Sequence, residues 1–404
     1  MKEDWKECKL GDVCDFQNGY AFKSSEFKSD GEYKVVKIKE LKDGLVKFFD
    51  DSACVDSQNC SDFDKFVIEK NDVIFALTGD PVSKPNPLSW VGRVSIYRNS
   101  EKAVLNQRTC KVKKSNNFDN VFLYYYFRQW ENFYGLASKA TGSASQANIS
   151  TNTIADTIIN LPPLATQQKI ATILFSLDDK IELNNKINDN LEQQAQAIFK
   201  SWFVAFEPFG GVMPEGWKKT DMYTIANIIY GSPFASKLFN TEKNGVPIIR
   251  IRDLKDQHSD VYTLEKRDDA YLIQPKDIVV GMDGEFRPYI WGGDPGWLNQ
   301  RVCVFENKRP KGTAFVYFSI KPLLNVVEKT QVATTVIHIG KKDFDRFQIL
   351  LPTEDVLNKF DKLTDPIINQ IVNNRLENKQ LTNLRDVLLP KLINGEIEVD
   401  SIQI

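Results

Sequence analysis

The chain has 404 residues, of which 42% are hydrophobic and 26% are charged, values that describe an ordinary soluble globular protein. Its 52 Lys and Arg residues against 54 Asp and Glu residues give a net charge of −2, which excludes a protein whose whole surface is basic for nonspecific nucleic-acid binding. There is no N-terminal apolar segment of signal-peptide length and no run approaching about 18 apolar residues, so we expect a cytoplasmic protein that contacts no membrane.

Cysteine and histidine usage gives no indication of a metal site. The six cysteines are scattered without C-x-x-C spacing, and the two histidines, His258 and His338, lie far from them in the sequence. A structural zinc site needs closely spaced ligand pairs. We therefore interpret the cysteines as reduced and mostly buried thiols and predict no bound metal.

Much of the first half of the chain recurs in the second half. The matched segments are 5–27 with 217–239, 35–44 with 248–257, 67–80 with 272–285, and the tetrapeptide LNQR at 105–108 with the same tetrapeptide at 298–301. The offset between the copies is 212 to 213 in the first two matches and falls to 193 at LNQR and to 190 at 160–164 against 350–354, so insertions lie mainly in loops of the first copy while the order of segments is kept. This pattern indicates a duplication.

The front part of each copy predicts a domain of the mixed α/β (α+β) class. Segments 33–39 and 246–252 alternate apolar and polar residues like half-buried strands, and the apolar runs 72–77 and 277–282 are typical of buried strands. The aromatic segment 120–137 has helical length, and we interpret it as a core helix in preference to a base-stacking platform.

A long heptad pattern follows each copy, within 164–207 and again within 353–389. The predicted seam of the first segment is Ile170, Leu174, Leu177, Ile181, Asn184, Asn188, Leu191, Ala195, Ile198 and Trp202. The same positions of the second segment are Phe360, Thr364, Ile367, Ile371, Asn374, Asn378, Leu381, Arg385, Leu388 and Leu392. Two long helices are therefore expected to form a coiled coil.

Asparagine interrupts the apolar seam at equivalent positions of both segments, Asn184 and Asn188 in the first and Asn374 and Asn378 in the second. A buried Asn weakens a coiled coil but fixes its register, because only one alignment lets the amides hydrogen-bond each other; surface exposure is the alternative. The duplication favours a pseudo-two-fold arrangement with antiparallel helices. About 37 residues at 1.5 Å each give a spacer on the order of 55 Å.

Two related domains on a helical spacer suit duplex DNA, which has a local two-fold axis and half-sites at defined spacing. The copies share framework segments, but the loops 81–100 and 286–297 differ. The two domains are therefore expected to recognise different DNA sequences. The polar segments 139–150 and 329–340 correspond and have short side chains suited to a close approach to the DNA backbone. Basic side chains cluster in 81–114, although such a cluster is more often a solvated face.

Arg and Lys can reach phosphates or the guanine edge, while Gln can pair with adenine. The predicted DNA-contacting residues are Lys23, Lys84, Arg93, Arg98, Arg108, Lys139, Thr141, Ser143, Gln146, Lys237, Arg252, Arg287, Arg301, Thr334 and Thr335. Arg108 and Arg301 lie in the shared LNQR tetrapeptide. Because both copies keep this tetrapeptide, we favour a framework role for it over base reading.

The whole chain resembles the specificity subunit of type I restriction-modification systems. The resemblance rests on "WKECKLGDV", "GYAFKSSEF", "LPPLATQQKIATILFSLDDKIELNNKI", "AIFKSWF", "MPEGWKKT" and "LLPKLINGEI". The second helix begins "LPTEDVLNKF" and lacks the Gln-Gln of 167–168, which weakens the match at that point. The resemblance implies target-recognition domains over 1–161 and 208–351, with spacer helices over 162–207 and, with a C-terminal tail, over 352–404.

The resemblance further implies that each domain reads half of a split double-stranded DNA site, while the helices set the spacing and dock two methyltransferase subunits. A motor-endonuclease subunit would join that complex, and S-adenosylmethionine, ATP and Mg²⁺ would bind the partner subunits, with no cofactor on this chain.

Two other function classes compete with this interpretation. For a methyltransferase, "NLPPL" (160–164) only approaches the required tetrapeptide, and the sequence has neither an FxGxG methyl-donor loop nor a GxxxxGK[ST] phosphate loop. S-adenosylmethionine binding by the purified chain would support that class. The other class is a coiled-coil scaffold for proteins without DNA readout, and steep salt dependence of DNA binding would exclude it.

Overall fold

The computed structural model describes residues 4–57, 62–83, 90–116, 118–143, 145–330 and 337–402. The chain divides into two compact units, unit 1 comprising Met1–Asp179 with Asn383–Ile404 and unit 2 comprising Lys180–Thr382. Unit 1 contains the first copy of the repeat, here called the first domain, and unit 2 contains the second copy, the second domain. Each unit also includes parts of both long helices.

Mixed sheets form the first domain. Its described strands are β1 (Lys6–Lys9), β2 (Phe16–Asn18), β3 (Tyr33–Val36), β4 (Leu41–Lys42), β5 (Leu45–Val46), β6 (Cys54–Val55), β7 (Val67–Ile68), β8 (Val73–Ala76), β9 (Thr78–Gly79), β10 (Val94–Ile96), β11 (Ala103–Leu105), β12 (Thr109–Val112), β13 (Thr141–Ser143), β14 (Gln146–Asn148) and β15 (Ile158–Leu161). One sheet has the order β2-β12-β8-β10-β5-β4 and another β6-β3-β11-β7. Both sheets are mixed, because β10 pairs with β5 and β11 with β3 in parallel. Every residue of β8 is fully buried, as its apolar run predicts.

The second domain repeats this plan. Its described strands are β16 (Lys218–Asp221), β17 (Ala226–Tyr230), β18 (Phe239–Asn240), β19 (Val246–Ile249), β20 (Tyr262–Thr263), β21 (Leu272–Ile273), β22 (Ile278–Gly281), β23 (Pro288–Ile290), β24 (Gly296–Leu298), β25 (Val302–Asn307) and β26 (Gln348–Leu351). One sheet has the order β17-β25-β22-β23, which matches β2-β12-β8-β10, and the other has the order β18-β20-β19-β24-β21. The parallel pair β19–β24 corresponds to β3–β11.

The first and last strands of each domain pair with each other. β1 runs antiparallel to β15, with Lys6 opposite Leu161, and β16 runs antiparallel to β26, with Lys218 opposite Leu351. The chain therefore enters each domain beside the point where it leaves for a long helix. This pairing explains why the repeat extends from a Trp-Lys start to a Leu-Pro end.

The shorter helices are α1 (Asn120–Arg128), α2 (Trp130–Ala137), α3 (Thr151–Ala155), α5 (Thr313–Thr330) and α6 (Lys341–Phe344), where α4 is the first long helix. The aromatic side chains of α1 are buried, which favours a core helix over a base-stacking platform. The segment 120–137 is not one helix, because Gln129 adopts an extended conformation between α1 and α2. Its side chain bonds Asn394 and Asn132 instead, with distances of 3.1 and 2.8 Å.

The LNQR tetrapeptide makes the same backbone hydrogen bonds in both domains, although Arg301 has a positive φ of 69° and Arg108 does not. The amides of Asn106 and Asn299 donate to the carbonyls of Val36 and Ile249 at 3.1 and 3.2 Å, and the carbonyls of both Asn residues accept bonds from the amides three residues later. Each turn also packs against a preceding glycine. A Cβ on Gly19 would lie 2.2 Å from the Asn106 carbonyl oxygen, and on Gly231 it would lie 1.9 Å from that of Asn299.

The long helices are α4 (Leu164–Phe203) and α7 (Glu354–Ile393), with 40 residues each and an offset of 190 at both ends. α4 ends before residue 207, and α7 continues through Pro366 and past 389, so the predicted ends shift by a few residues. The helices run antiparallel within unit 2, where Asn184 contacts Asn378 and Asn188 contacts Asn374. Two mixed α/β domains with a pair of long antiparallel helices are thus confirmed.

Candidate nucleic-acid interface

In the first domain the candidate interface lies where β8 ends and β9 begins. The Ala76 amide donates to the Arg93 carbonyl at 2.9 Å, and Ala76 pairs on its other side with Thr109 of β12. The Leu77 amide donates to the Arg108 carbonyl, also at 2.9 Å. The sheet therefore brings the backbones of Arg93 and Arg108 to the same end of β8, although 15 positions separate them in the sequence.

The exposed Arg108 side chain begins a chain of hydrogen bonds that we call the Arg108 cluster. Its Nη1 atom donates to Oγ1 of Thr78 at 3.2 Å, and that hydroxyl donates to Oδ1 of Asn148 at 2.8 Å. Thr78 is buried, whereas Arg108 and Asn148 are exposed. In this cluster one nitrogen atom of an exposed guanidinium bonds an uncharged hydroxyl, which is itself held by an uncharged amide.

Asn148 belongs to a polar hairpin formed by β13 and β14, which joins the domain by pairing with β9. Three of the predicted DNA-contacting residues, Thr141, Ser143 and Gln146, are exposed on this hairpin, and Lys139 is exposed just before it. The hairpin places short polar side chains next to the Arg108 cluster. Such side chains are suited to hydrogen bonds with phosphate and sugar oxygens.

Arg93 has a different setting from Arg108. It lines a surface cavity of about 330 Å³ whose aromatic walls include Trp90, Trp130 and Phe133. The centre of its guanidinium lies 5.6 Å from the Trp90 ring centroid, a cation–π contact. Burial lowers the pKa of Arg93, although nearby Asp43 opposes that shift. A half-buried cation beside aromatic rings can bind anionic or π-rich groups, and its DNA contact stays a prediction.

The second domain has a charged counterpart, here called the Arg301 cluster. Nη1 of Arg301 is 3.4 Å from Oδ1 of Asp283, and that oxygen is 2.6 Å from Nδ1 of His338. Nδ1 of His338 is also 3.2 Å from Arg301 Nη1, but one ring nitrogen cannot donate and accept at once. A proton on Nδ1 directed at Asp283 satisfies the carboxylate, which then accepts from both neighbours. Arg301, Asp283 and His338 align with Arg108, Thr78 and Asn148 in the repeat.

Three further predicted residues of the second domain, Lys237, Arg252 and Arg287, are exposed. Arg287 directly precedes β23 as Arg93 precedes β10, and its Nε atom lies 3.3 Å from Oε2 of Glu285. Lys237 and Arg252 are exposed on turns of the second domain, as is Lys23 on a turn of the first domain. The predicted residues Lys84, Thr334 and Thr335 lie outside the described residues.

Within the basic segment 81–114, several side chains have partners inside the first unit. Arg98 pairs with Asp179 of α4 and stacks 4.5 Å from the centroid of Phe175, so it contacts the helix. Lys102 pairs with Glu32 at 3.0 Å. These contacts give no support to DNA binding by Arg98, whose DNA contact stays a prediction. Among the described residues of this segment, Arg93 and Arg108 have backbone contacts at the end of β8.

The residues that hold the two arginines are absent from the predicted site. Thr78 and Asp283 both follow the apolar run of the buried strand, and Asn148 and His338 both lie two residues before the end of the polar segments 139–150 and 329–340. The repeat alignment pairs each of these residues with its counterpart. That correspondence, more than residue type, was the signal by which the sequence could have identified them.

The predicted asparagine seam lies between α4 and α7 in unit 2. Nδ2 of Asn184 donates to Oδ1 of Asn378 at 2.9 Å, and Nδ2 of Asn374 donates to Oδ1 of Asn188 at 2.8 Å. Asn184, Asn188 and Asn374 are buried and Asn378 is half-buried. Exchanging the two repeat copies converts one pair into the other. Each asparagine thus bonds the asparagine at the other seam position of the opposite helix, so the register is fixed symmetrically.

The other predicted seam residues are all buried or half-buried. Those of α4 are Ile170, Leu174, Leu177, Ile181, Leu191, Ala195, Ile198 and Trp202, and those of α7 are Phe360, Thr364, Ile367, Ile371, Leu381, Arg385, Leu388 and Leu392. The arginine is paired inside unit 1, where Nη1 of Arg385 donates to Oδ1 of Asp178 at 2.6 Å. Oδ2 of Asp178 also accepts the Tyr125 hydroxyl at 2.6 Å. Burial opposes the charge of Arg385, but Asp178 and Asp386 overcome it and raise its pKa.

The described ranges contain neither a group of metal-ligating side chains nor a membrane-spanning helix. Between residues 4 and 402, outside the gaps given above, no group of three or more His, Cys, Asp or Glu side chains is arranged to hold a metal ion. No helix in the described part of the chain has the length and apolar composition needed to cross a membrane.

A sequence model of the family described as "Type I restriction modification DNA specificity domain" matches residues 2–193 and 214–383, most of the chain. The chain belongs to this family. The resemblance stated from the sequence is confirmed, and the two matched stretches show that a specificity domain occurs twice. This membership supports DNA specificity over a protein scaffold without DNA readout.

Named relatives of the specificity family cover most of the chain. The specificity subunit of the type I restriction enzyme MjaIX from Methanocaldococcus jannaschii is 26% identical over 333 residues, 77% of this chain and 76% of that protein. The HindI specificity subunit from Haemophilus influenzae is 26% identical over 346 residues, 66% of this chain and 74% of that protein.

A solved structure shares the fold of these specificity domains. The type I restriction-modification S subunit from M. genitalium has a TM-score of 0.59, covers 97% of this chain and 96% of its own, and is 17% identical in sequence. At that identity the likeness concerns the fold alone.

Proposed function

We propose that this chain is the subunit that gives a type I restriction-modification complex its DNA specificity, with each domain reading one half of a bipartite site. The observation that carries the proposal is the pair of arginine clusters. Turns with the same backbone hydrogen bonds carry Arg108 beside Thr78 in one domain and Arg301 beside Asp283 in the other. Two domains with the same backbone plan but different side chains at the equivalent place are suited to recognise different DNA sequences.

In this proposal the chain performs no chemistry itself. The helices α4 and α7 set the gap between half-sites and dock two methyltransferase subunits, and a motor-endonuclease subunit joins the complex. S-adenosylmethionine, ATP and Mg²⁺ bind those partners, and the complex works on double-stranded DNA in the cytoplasm. Family membership and the paired asparagine register support this division of labour.

The proposal is tested by co-expressing the chain with its methyltransferase subunit in a host that lacks DNA methylation, followed by sequencing for modified adenines. We expect a split motif with a fixed gap that is absent when this chain is omitted. The same motif without the chain would exclude its role in specificity.

Salt dependence separates DNA reading from a scaffold function. Each Lys or Arg that neutralises a phosphate releases condensed counterions, so affinity for the split site should fall steeply with salt. We expect the logarithm of the binding constant to fall linearly with the logarithm of the salt concentration. A salt-independent association would instead indicate the scaffold function.

A further inference from the structure

We propose that Asp283 with His338, and Thr78 with Asn148, are positioning residues that fix the guanidinium groups of Arg301 and Arg108 for contact with base edges of their half-sites. This inference rests on the proposed function and deepens it, because it names side chains that determine specificity without touching DNA. In this inference the LNQR backbone has a structural role in both domains, and the side chains around its arginine determine which base is recognised.

Both clusters engage the same guanidinium atom, Nη1. Thr78 accepts from Nη1 of Arg108, and Asp283 lies within reach of Nη1 of Arg301. Within the described residues no hydrogen bond is made by Nε or Nη2 of either arginine. That second edge of each planar guanidinium is therefore available to an acceptor pair such as guanine O6 and N7, which arginine binds in bidentate fashion.

Neither cluster is needed to hold the LNQR turn in place. Backbone hydrogen bonds of Asn106 and Asn299 already fix it in both domains. The Arg301 side chain is 57% exposed and that of Asp283 is 24% exposed, and ion pairs of this kind contribute little to stability. Their geometry therefore has to be explained by something other than folding.

The cluster partners also restrict the rotamers of the two arginines. An exposed arginine has many rotamers, and a base contact requires one of them to be selected in advance. Asp283 supplies a charge-assisted partner for Arg301, whereas Thr78 supplies an uncharged hydroxyl for Arg108. We therefore expect loss of the partner to matter more in the second domain than in the first.

The test maps modified bases in cells that contain the complete complex with the wild-type chain, with Asp283→Ala, with Arg301→Ala, or with both changes. Asp283→Ala should lower base preference about tenfold at one position of one half-site, the position at which Arg301→Ala acts. The double variant should be no worse than Arg301→Ala, because the carboxylate acts through the arginine. The other half-site should keep its preference.

Matched variants separate positioning from general damage. Asp269→Ala removes the carboxylate of another exposed arginine pair in the same domain, Arg267–Asp269, and should leave the motif unchanged. Asp283→Thr with His338→Asn installs the partners of the first domain and should restore part of the preference lost in Asp283→Ala. Thr78→Ala should relax the opposite half-site by a smaller factor.

Several results would overturn the inference. An unchanged motif in Asp283→Ala beside a relaxed motif in Arg301→Ala would exclude positioning, and equal relaxation of both half-sites would indicate general damage. Lower methylation at an unchanged motif would make Arg301 a phosphate contact and not a base contact. Failure of the proposed function is distinguishable, because the wild-type chain would then show no split motif.

Discussion

The first and second domains differ where their aromatic helices, α1 and α5, pack against the long helices. In unit 1 the Tyr125 hydroxyl donates to Asp178, whose other oxygen accepts from Arg385. The repeat places Phe318, Ile368 and Ala195 at the equivalent positions of unit 2, and all three are buried in its apolar core. One domain therefore has a buried polar triad where its copy has only apolar side chains.

Tyr125, Asp178 and Arg385 therefore function as a set. A carboxylate of low exposure needs its partners, and a buried arginine or tyrosine hydroxyl without an acceptor is costly. Intermediate combinations are therefore expected to be less stable than either complete set. The frame of the repeat tolerates both solutions, because the backbone pairing of the closing strands is the same in both domains.

Breaking the polar triad should have the largest effect on stability. Asp178→Ala leaves Arg385 without its main partner while both side chains are only 15% exposed, and we expect a loss of about 3–5 kcal/mol in the free energy of unfolding. Urea unfolding followed by fluorescence measures this loss. The matched change in unit 2, Ile368→Ala, removes apolar volume but leaves no unpaired charge.

Transplanting the apolar set sharpens the same comparison. The triple variant Tyr125→Phe, Asp178→Ile and Arg385→Ala should be within about 1 kcal/mol of the wild type or more stable, since buried ion pairs are often replaceable by well-packed apolar residues. A triple variant as unstable as Asp178→Ala would show that the triad does more than satisfy its own members.

Gly19 and Gly231, which face the LNQR turns, test whether the two domains have equivalent backbones at this place. Gly19→Ala and Gly231→Ala each place a methyl group about where the facing Asn carbonyl oxygen lies, so the turn must move. We expect losses of about 1–3 kcal/mol, similar in the two domains, by the same unfolding measurement. Gly135→Ala is a suitable control, because nothing lies within 4 Å of the added atom. A large effect at one glycine alone would contradict a common frame.

The smallest expected effect concerns a carboxylate that anchors only the second domain. Oε1 of Glu192 accepts from Lys321 at 2.8 Å and from the Tyr317 hydroxyl at 3.0 Å. Burial raises the pKa of Glu192, but Lys321 and Tyr317 overcome it, so the net shift is downward. In the first domain the equivalent Tyr124 accepts a bond from Arg128 and has no such carboxylate.

A lowered folded-state pKa means that the stabilisation is present above the unfolded value, about 4.3 for glutamate, and is lost as the pH falls through the folded value. Glu192→Gln should therefore cost about 0.5–1 kcal/mol at pH 7, and the difference from the wild type should vanish toward pH 3. Unfolding curves across this range check the prediction. A difference that grows on acidification would be opposite to the expected sign.

The sequence predicted what depends on periodicity and repetition. Heptads over 164–207 and 353–389 indicated both long helices, and the equivalent asparagines indicated their register before any contact was known. Contacts between distant segments were not predictable in this way. The sequence placed Arg98 in a basic loop, but its side chain packs on Phe175 of α4. Gln129, where the aromatic helix breaks, bonds Asn394, which lies more than 260 residues later in the chain.

The central claim is that the two domains read separate halves of one site, and the equivalent residues Arg93 and Arg287 test it most directly. Modified bases would be mapped in cells expressing the complex with Arg93→Ala or with Arg287→Ala. We expect Arg93→Ala to lower base preference about tenfold in one half-site and Arg287→Ala to do so in the other half-site, with the gap between the half-sites unchanged. Either variant relaxing both half-sites equally would contradict the claim.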